Sequence, residues 1–191
     1  LDAEIACPVS GSKNWTDVRQ FNLMFDTKLG SVNDEASKIY LRPETAQGIF
    51  VNYLNVQKSG RMNLPFGIAQ IGKAFRNEQM EMQYFIQPGT EKQWFKTWKE
   101  KRIKWHKALG YDDTWLRFHD HQKLAHYATA ATDIEFNFPF GFKELEGIHS
   151  RTNYDLTKHQ EFSGKKIQYY DNERQESYVP YVLETSIGLD R

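Results

Sequence analysis

Phe75-Arg76-Asn77-Glu78-Gln79-Met80-Glu81-Met82-Gln83-Tyr84-Phe85-Ile86 is the stretch on which the fold turns. Its second half alternates, with Met80, Met82, Tyr84 and Ile86 on one face of an extended chain and Glu81, Gln83 and Phe85 on the other, since successive strand side chains point to opposite sides. The first face predicts a core, and the second a polar row aimed into a cleft or solvent. Arg76 offers a planar fork of donors that can grip a phosphate or carboxylate at two points, and Glu81 can accept hydrogen bonds from an ammonium group. Both signs of charge thus stand on what read as rigid strands.

Upstream, Pro65 opens a strand through Phe75 whose small residues, Gly67, Ala69, Gly72 and Ala74, allow close approach of a ligand or backbone. Before it, Thr45 can cap a helix from Ala46 to Ser59 that carries an apolar stripe of Ile49, Phe50, Tyr53, Leu54 and Val56 and stops at Gly60. Residues 17–26 and 39–42 read as short extended segments. Downstream, Pro88-Gly89 turns the chain, and Thr90 with Gln93 forms a capping box for a helix through Leu109, stopped by Gly110. Its tryptophans, Trp94, Trp98 and Trp105, sit among lysines and arginine, and their spacing predicts core packing more than an RNA surface. A further helix is predicted near Gln122 to Thr132. Strands follow over Ile134–Phe140 and Phe142–Ile148, and a last one over Tyr178–Glu184 leads to Ser186 as the N-cap of a helix containing Arg191. Strands with tight returns and helices between them predict an α+β fold on an antiparallel or mixed sheet.

A length of 191 residues suits one domain, and thirteen Phe, ten Tyr and five Trp supply its buried surface. Lys plus Arg equals Asp plus Glu at 25 each, so net charge does not advertise a nucleic-acid partner and any RNA contact must be local. Cys7 is the single cysteine, which excludes an intrachain disulfide and points to a reducing compartment. Cys7-Pro8-Val9-Ser10 outlines half a zinc knuckle, but Ser10 stands where a second thiolate is needed, so it reads as a turn. No apolar run reaches membrane-span length and no signal-peptide pattern is present, so the expectation is a soluble, cytoplasmic protein without membrane contact. Beginning at Leu1 and ending at Arg191 within a predicted helix, the chain reads as a fragment.

Two further segments stand in order around the opening one: Leu41-Arg42-Pro43-Glu44-Thr45-Ala46-Gln47-Gly48 before it and Glu184-Thr185-Ser186-Ile187-Gly188-Leu189-Asp190-Arg191 at the end. Together they resemble the substrate loop, motif 2 and motif 3 of the glycyl-tRNA synthetase family, over the chain from about Asn14 onward. The resemblance implies a class II catalytic core, residues 1–191, without the anticodon-binding domain. It implies a homodimer that activates glycine with ATP and Mg²⁺ and charges tRNA(Gly).

In that reaction a glycine carboxylate, already ionised, attacks the α-phosphorus of ATP, so the protein must align two anions and neutralise developing charge. By the resemblance, Arg76 bridges the α-phosphate and the amino-acid carboxylate, and Asn77 and Glu78 help bind ATP. Arg191 meets the γ-phosphate, with Gly188, Leu189 and Asp190 beside the nucleotide. Glu44 and Glu81 hold the ammonium, Ser186 lies near the α-carbon, Gln79, Glu184 and Gly188 are close neighbours, and Arg151 supports the carboxylate. Glu144 and Leu145 contact the nucleotide. Glu144 and Glu146, two apart on a predicted strand, are expected on one face, a spacing that suits Mg²⁺ bridging phosphates. Read singly, each glutamate is an ordinary surface charge.

One departure stands out. The family has a hairpin loop and a returning Arg-Glu-Phe segment between its Phe-Arg-Asn-Glu and Gln-Met-Glu motifs, whereas here Glu78 abuts Gln79. Two strands meeting there could not turn without loop residues. Either a loop is absent from the sequence, or the chain lacks it and cannot bind adenine in the ordinary way. Two other readings compete: a synthetase-like accessory protein without turnover, and a metal hydrolase built on His119, Asp120, His121 and His126.

Overall fold

The computed structural model describes residue 11 and residues 24–30, 38–75 and 79–188. Arg76, Asn77, Glu78, Leu189, Asp190 and Arg191 lie outside the described residues, as does Cys7; the start of the predicted terminal helix, Ile187 and Gly188, is strand instead. In chain order the elements are β1 (Asp26–Lys28), β2 (Lys38–Tyr40), α1 (Ala46–Ser59), β3 (Phe66–Gly72), β4 (Gln79–Ile86), α2 (Glu91–Ala108), β5 (Leu116–Asp120), β6 (Ala130–Phe138), β7 (Gly141–Thr152), α3 (Tyr154–Ser163), β8 (Tyr169–Asp171), β9 (Glu176–Tyr178) and β10 (Tyr181–Gly188). Six strands form one sheet in the order β3-β4-β10-β7-β6-β5, with every neighbouring pair antiparallel. The fold is α+β, and β1–β2 and β8–β9 are separate two-stranded ribbons.

Helices cover both faces of the sheet. On one face α1 seats Phe50 and Tyr53 against Phe85 and Phe66, with Leu156 of α3 and Val182 completing the cluster. Tyr53 lies 4.6 Å from Phe85 and stacks on Phe66 at 5.8 Å between ring centroids. On the other face α2 lays Phe95, Trp98 and Ile103 over Leu116, Ile134, Leu145 and Ile148, while Trp94 and Trp98 both reach Tyr84 at 5.1 Å. Trp105 stays substantially exposed, so core packing explains two of that helix's three tryptophans.

This double cover corrects the reading of β4. The face carrying Glu81, Gln83 and Phe85 is buried throughout, while on the opposite face Ile86 is fully buried and Met80, Met82 and Tyr84 are half-buried. Polarity along a strand does not reveal which face a helix will cover when both are covered.

Helix ends differ from expectation in a shared way. α1 and α2 begin where predicted, but neither Thr45 nor Thr90 makes a capping hydrogen bond through its side chain. Thr90 donates its hydroxyl to the Gln87 carbonyl, and Thr45 donates its own to Glu81. The predicted helix near Gln122–Thr132 is absent: turns lead into β6 at Ala130. Ser186 lies within β10 and caps no helix there. β3 ends at Gly72, which pairs with Gln79, so residues 73–78 join the two strands and Phe75 is not on β3.

Candidate active site

The face of the sheet shared with α1 becomes a polar floor beyond the Phe66–Phe85–Val182 row. Register places Gln70, Glu81, Ser186, Gly147, Asp133 and His119 side by side across all six strands. The next row holds Gln83, Glu184 and His149.

Glu184 is a buried carboxylate approached by three side chains. Its Oε2 accepts from Gln83 Nε2 and from Arg151 Nη1 at 2.8 Å, and its Oε1 lies 3.4 Å from His149 Nδ1, an ion-pair distance without hydrogen-bond alignment. Burial alone would push its carboxyl up, but His149, Arg151 and Gln83 outweigh burial and hold it down at about 2. Glu184 is therefore ionised at neutral pH.

Arg151 reaches it through a bulge. Leu183 pairs with Ser150 but Val182 with Thr152, leaving Arg151 as an extra residue on β7. Thr152, at φ 58°, then swings the chain into α3, where Asp155 accepts from Arg151 Nε at 3.0 Å and from Nη2 at 3.1 Å. With Tyr127 packed 4.3 Å from its guanidinium carbon, Arg151 is a buried cation clamped between Asp155 and Glu184. Gln83, Asp155 and His149 are site residues that sequence reasoning missed. Gln83 had the right strand parity; Asp155 had the i, i+4 relation to Arg151.

Glu81 is buried beside Ser186, and its Oε2 accepts from the Thr45 backbone N–H at 2.8 Å and from the Thr45 hydroxyl. Burial raises its carboxyl above the usual range; Thr45 opposes this, and nearby Glu184 and Glu44 add to it. Glu44, half-buried at the start of α1, accepts from Gln47 at 3.0 Å. Glu44, Glu81, Arg151, Glu184 and Ser186 are thus gathered around one floor.

Gln79 and Gly188 pair with each other at the edge where β4 begins and β10 ends, and Gly72 flanks Gln79 on β3. The Arg76-Asn77-Glu78 and Leu189-Asp190-Arg191 segments therefore attach at the same end of adjacent strands.

The Glu144–Glu146 pair is not brought together. Ile134 pairs with Glu146 and Glu135 with Glu144, which leaves Leu145 as a bulged residue and turns the two glutamates to opposite faces. Glu144 joins the floor side and is exposed, Leu145 is buried against the α2 side, and Glu146 is fully buried beneath α2. There Glu146 accepts from both ends of the Arg102 fork and lies 2.7 Å from His106 Nε2. A carboxylate committed to Arg102 and His106 on the far face cannot share a Mg²⁺ with Glu144, so this pair does not fit that ion. His119 and His121 each face a separate acid, Glu135 at 3.1 Å and Asp133 at 2.8 Å. No group of three or more His, Cys, Asp or Glu converges as metal ligands among the described residues.

Known proteins resemble this chain in sequence and in fold. Residues 1–23 match the family model of glycyl-tRNA synthetase insertion domain 1. The chain is 54% identical to a glycine–tRNA ligase of Chlorobaculum tepidum, covering 100% of this chain and 44% of the relative. It is 54% identical to that of Treponema denticola, over 97% of this chain and 45% of the relative, and 52% identical to that of Staphylococcus haemolyticus, over 100% and 44%. The chain thus spans less than half the length of these relatives. The Chlorobaculum match runs over 206 positions against 191 residues here, so that relative has residues without a counterpart in this chain. Among solved structures, Giardia lamblia prolyl-tRNA synthetase in complex with prolyl-adenylate superposes with a TM-score of 0.63 at 16% identity, covering 86% of this chain and 35% of that one.

The antiparallel sheet, its helical cover and its charged floor define a class II aminoacyl-tRNA synthetase catalytic fold. Within that class, identity of 54% along the whole chain settles the branch. The chain belongs to the glycyl-tRNA synthetase family.

Proposed function

We propose that the chain is the catalytic core of a cytoplasmic, homodimeric glycine–tRNA ligase that serves translation: it binds ATP, converts glycine to glycyl adenylate with release of pyrophosphate, and passes the glycyl group to tRNA(Gly) with release of AMP. The observation that carries this reading is the convergence of Glu44, Glu81 and Glu184 around Ser186, with Arg151 clamping Glu184 from behind. Three acids around a floor that offers serine and glycine suit a ligand that is little more than an ammonium and a carboxylate. The names of the relatives, glycine–tRNA ligases, support the same reading.

Glu184, ionised at neutral pH, supplies fixed negative charge for the ammonium. The glycine carboxylate needs no general base, so the remaining task is charge neutralisation at the α-phosphorus. Arg76 and Arg191 are assigned to it, Arg76 between the α-phosphate and the carboxylate and Arg191 at the γ-phosphate. Their segments attach beside the Gln79–Gly188 pair, which supports both acting on one nucleotide. An added methyl on the substrate is worth only about 1 to 3 kcal/mol in an apolar pocket, so rejection of alanine rests on the polar floor having no space to yield.

Glycine-dependent exchange of labelled pyrophosphate into ATP by the full-length protein tests the assignment. Exchange is expected with glycine and not with alanine, and Arg76→Ala abolishes it while the fold persists. A folded protein without exchange overturns the proposal in favour of an accessory role.

A further inference from the structure

Thr45 is placed to cap α1 and does not. A threonine at that position normally offers its hydroxyl to a helix N–H. Here both the hydroxyl and the backbone N–H of Thr45 go to one oxygen of Glu81, 36 residues away. Both residues are buried, and the first turn of α1 holds no acidic residue, so the Glu81 carboxylate stands at the positive end of the helix in place of one. Thr45 immediately follows Glu44. A single pair of hydrogen bonds therefore ties the segment bearing one pocket glutamate to the strand bearing another, and it engages Oε2 of Glu81 alone.

We infer that Thr45 is a positioning residue of the amino-acid pocket: it fixes the Glu81 carboxylate, and with it the spacing of Glu81 from Glu44, for a primary ammonium group. The inference rests on the glycine-binding reading above. Burial, Glu184 on β10 and Glu44 before α1 all push Glu81 toward its neutral form, Gln70 opposite on β3 is uncharged, and the Thr45 donors push back. Without the hydroxyl, Glu81 takes up a proton at higher pH and loses its attraction for the ammonium.

The test is glycine binding by calorimetry with the full-length protein, alongside pyrophosphate exchange, in wild type, Thr45→Val and Thr45→Ser. Thr45→Val keeps volume and the backbone donor but deletes the hydroxyl; it is expected to weaken glycine binding roughly tenfold and raise the glycine KM while kcat at saturating glycine changes far less. The acid limb of its binding profile moves to higher pH. Thr45→Ser keeps both donors and stays within about twofold of wild type. Wild-type glycine affinity in Thr45→Val, an unmoved acid limb, or equal loss in Thr45→Ser overturns the inference. Absence of glycine binding by the wild type instead overturns the functional reading on which it rests.

Discussion

Replacing Arg151 by methionine removes a buried cation from the floor without touching the backbone. The guanidinium is the shared partner of two buried carboxylates, Asp155 and Glu184, and methionine fills its stem volume while removing every donor. Breaking a buried pair by deleting one member costs about 3 to 5 kcal/mol, because a charge stays buried without its partner. A second route gives a similar figure: a fall from the ordinary 4.5 to about 2 for Glu184 corresponds to about 3 kcal/mol at roughly 1.4 kcal/mol per pH unit, of which Arg151 is one contributor with His149 and Gln83. Because Glu184 has its pKa depressed by folding, this stabilisation is fully present above about pH 4.5 and disappears as pH falls toward about 2. Urea unfolding followed by circular dichroism at several pH values measures it. Arg151→Met should lose about 3 to 5 kcal/mol at pH 7 and much less near pH 3, and Glu184→Gln added to Arg151→Met should restore part of the loss by removing the stranded charge. A loss below about 1 kcal/mol at pH 7, or a double variant no better than the single one, refutes the clamp.

Tyr53 carries a buried hydroxyl without a hydrogen-bond partner, so Tyr53→Phe is expected to leave stability unchanged or raise it by about 1 kcal/mol in thermal or urea unfolding. Arg102→Met strands Glu146 beneath α2 and is expected to cost about 2 to 4 kcal/mol by the same measurement, with His106 alone left to face the carboxylate. A methyl added at Gly147 would stand 2.8 Å from His149 Cε1, a ring that can swing aside; Gly147→Ala should therefore change the melting temperature by only a few degrees yet weaken glycine-dependent exchange by displacing His149 from Glu184.

Much of this architecture was readable because it rests on local signals. α1 matches its predicted limits, since its apolar stripe and its Gly60 stop are properties of neighbouring residues. β4 could be located from its alternation, and the α+β class followed from the order of elements. What alternation could not supply was the choice of face, because Glu81 is buried by pairing with Thr45 and Gln83 by pairing with Glu184, partners that lie far away in sequence. The two bulges in β7 were equally hidden. Each adds one residue to a strand relative to its neighbour, so parity counted along β7 alone put Glu144 and Glu146 together and gave no reason for Arg151 to point at Asp155. The side-chain caps expected at Thr45 and Thr90 are missing for a related reason: a threonine hydroxyl has several competing local and distant acceptors, and the sequence shows only the local ones.

The same distinction divides the site by construction. The half assigned to the amino acid is knit by long-range contacts among buried groups, Thr45 to Glu81, Gln83 to Glu184 and Arg151 to both Glu184 and Asp155, so α1, β4, β10, β7 and α3 must all be in place for it to exist. Of the residues assigned to ATP, Arg76 through Glu78 immediately precede the first residue of β4 in the chain and Leu189 through Arg191 follow the last residue of β10, while Glu144 and Leu145 lie on β7. Residues added between Glu78 and Gln79 would therefore act directly on the Arg76 segment while lying apart from the Thr45–Glu81, Gln83–Glu184 and Arg151–Glu184 hydrogen bonds, whereas Lys73 and Phe75 are tied to Arg42 ahead of Glu44. The continuity of Glu78 with Gln79 is thus a matter for nucleotide affinity, and the glycine pocket is expected to form with or without additional residues at that junction.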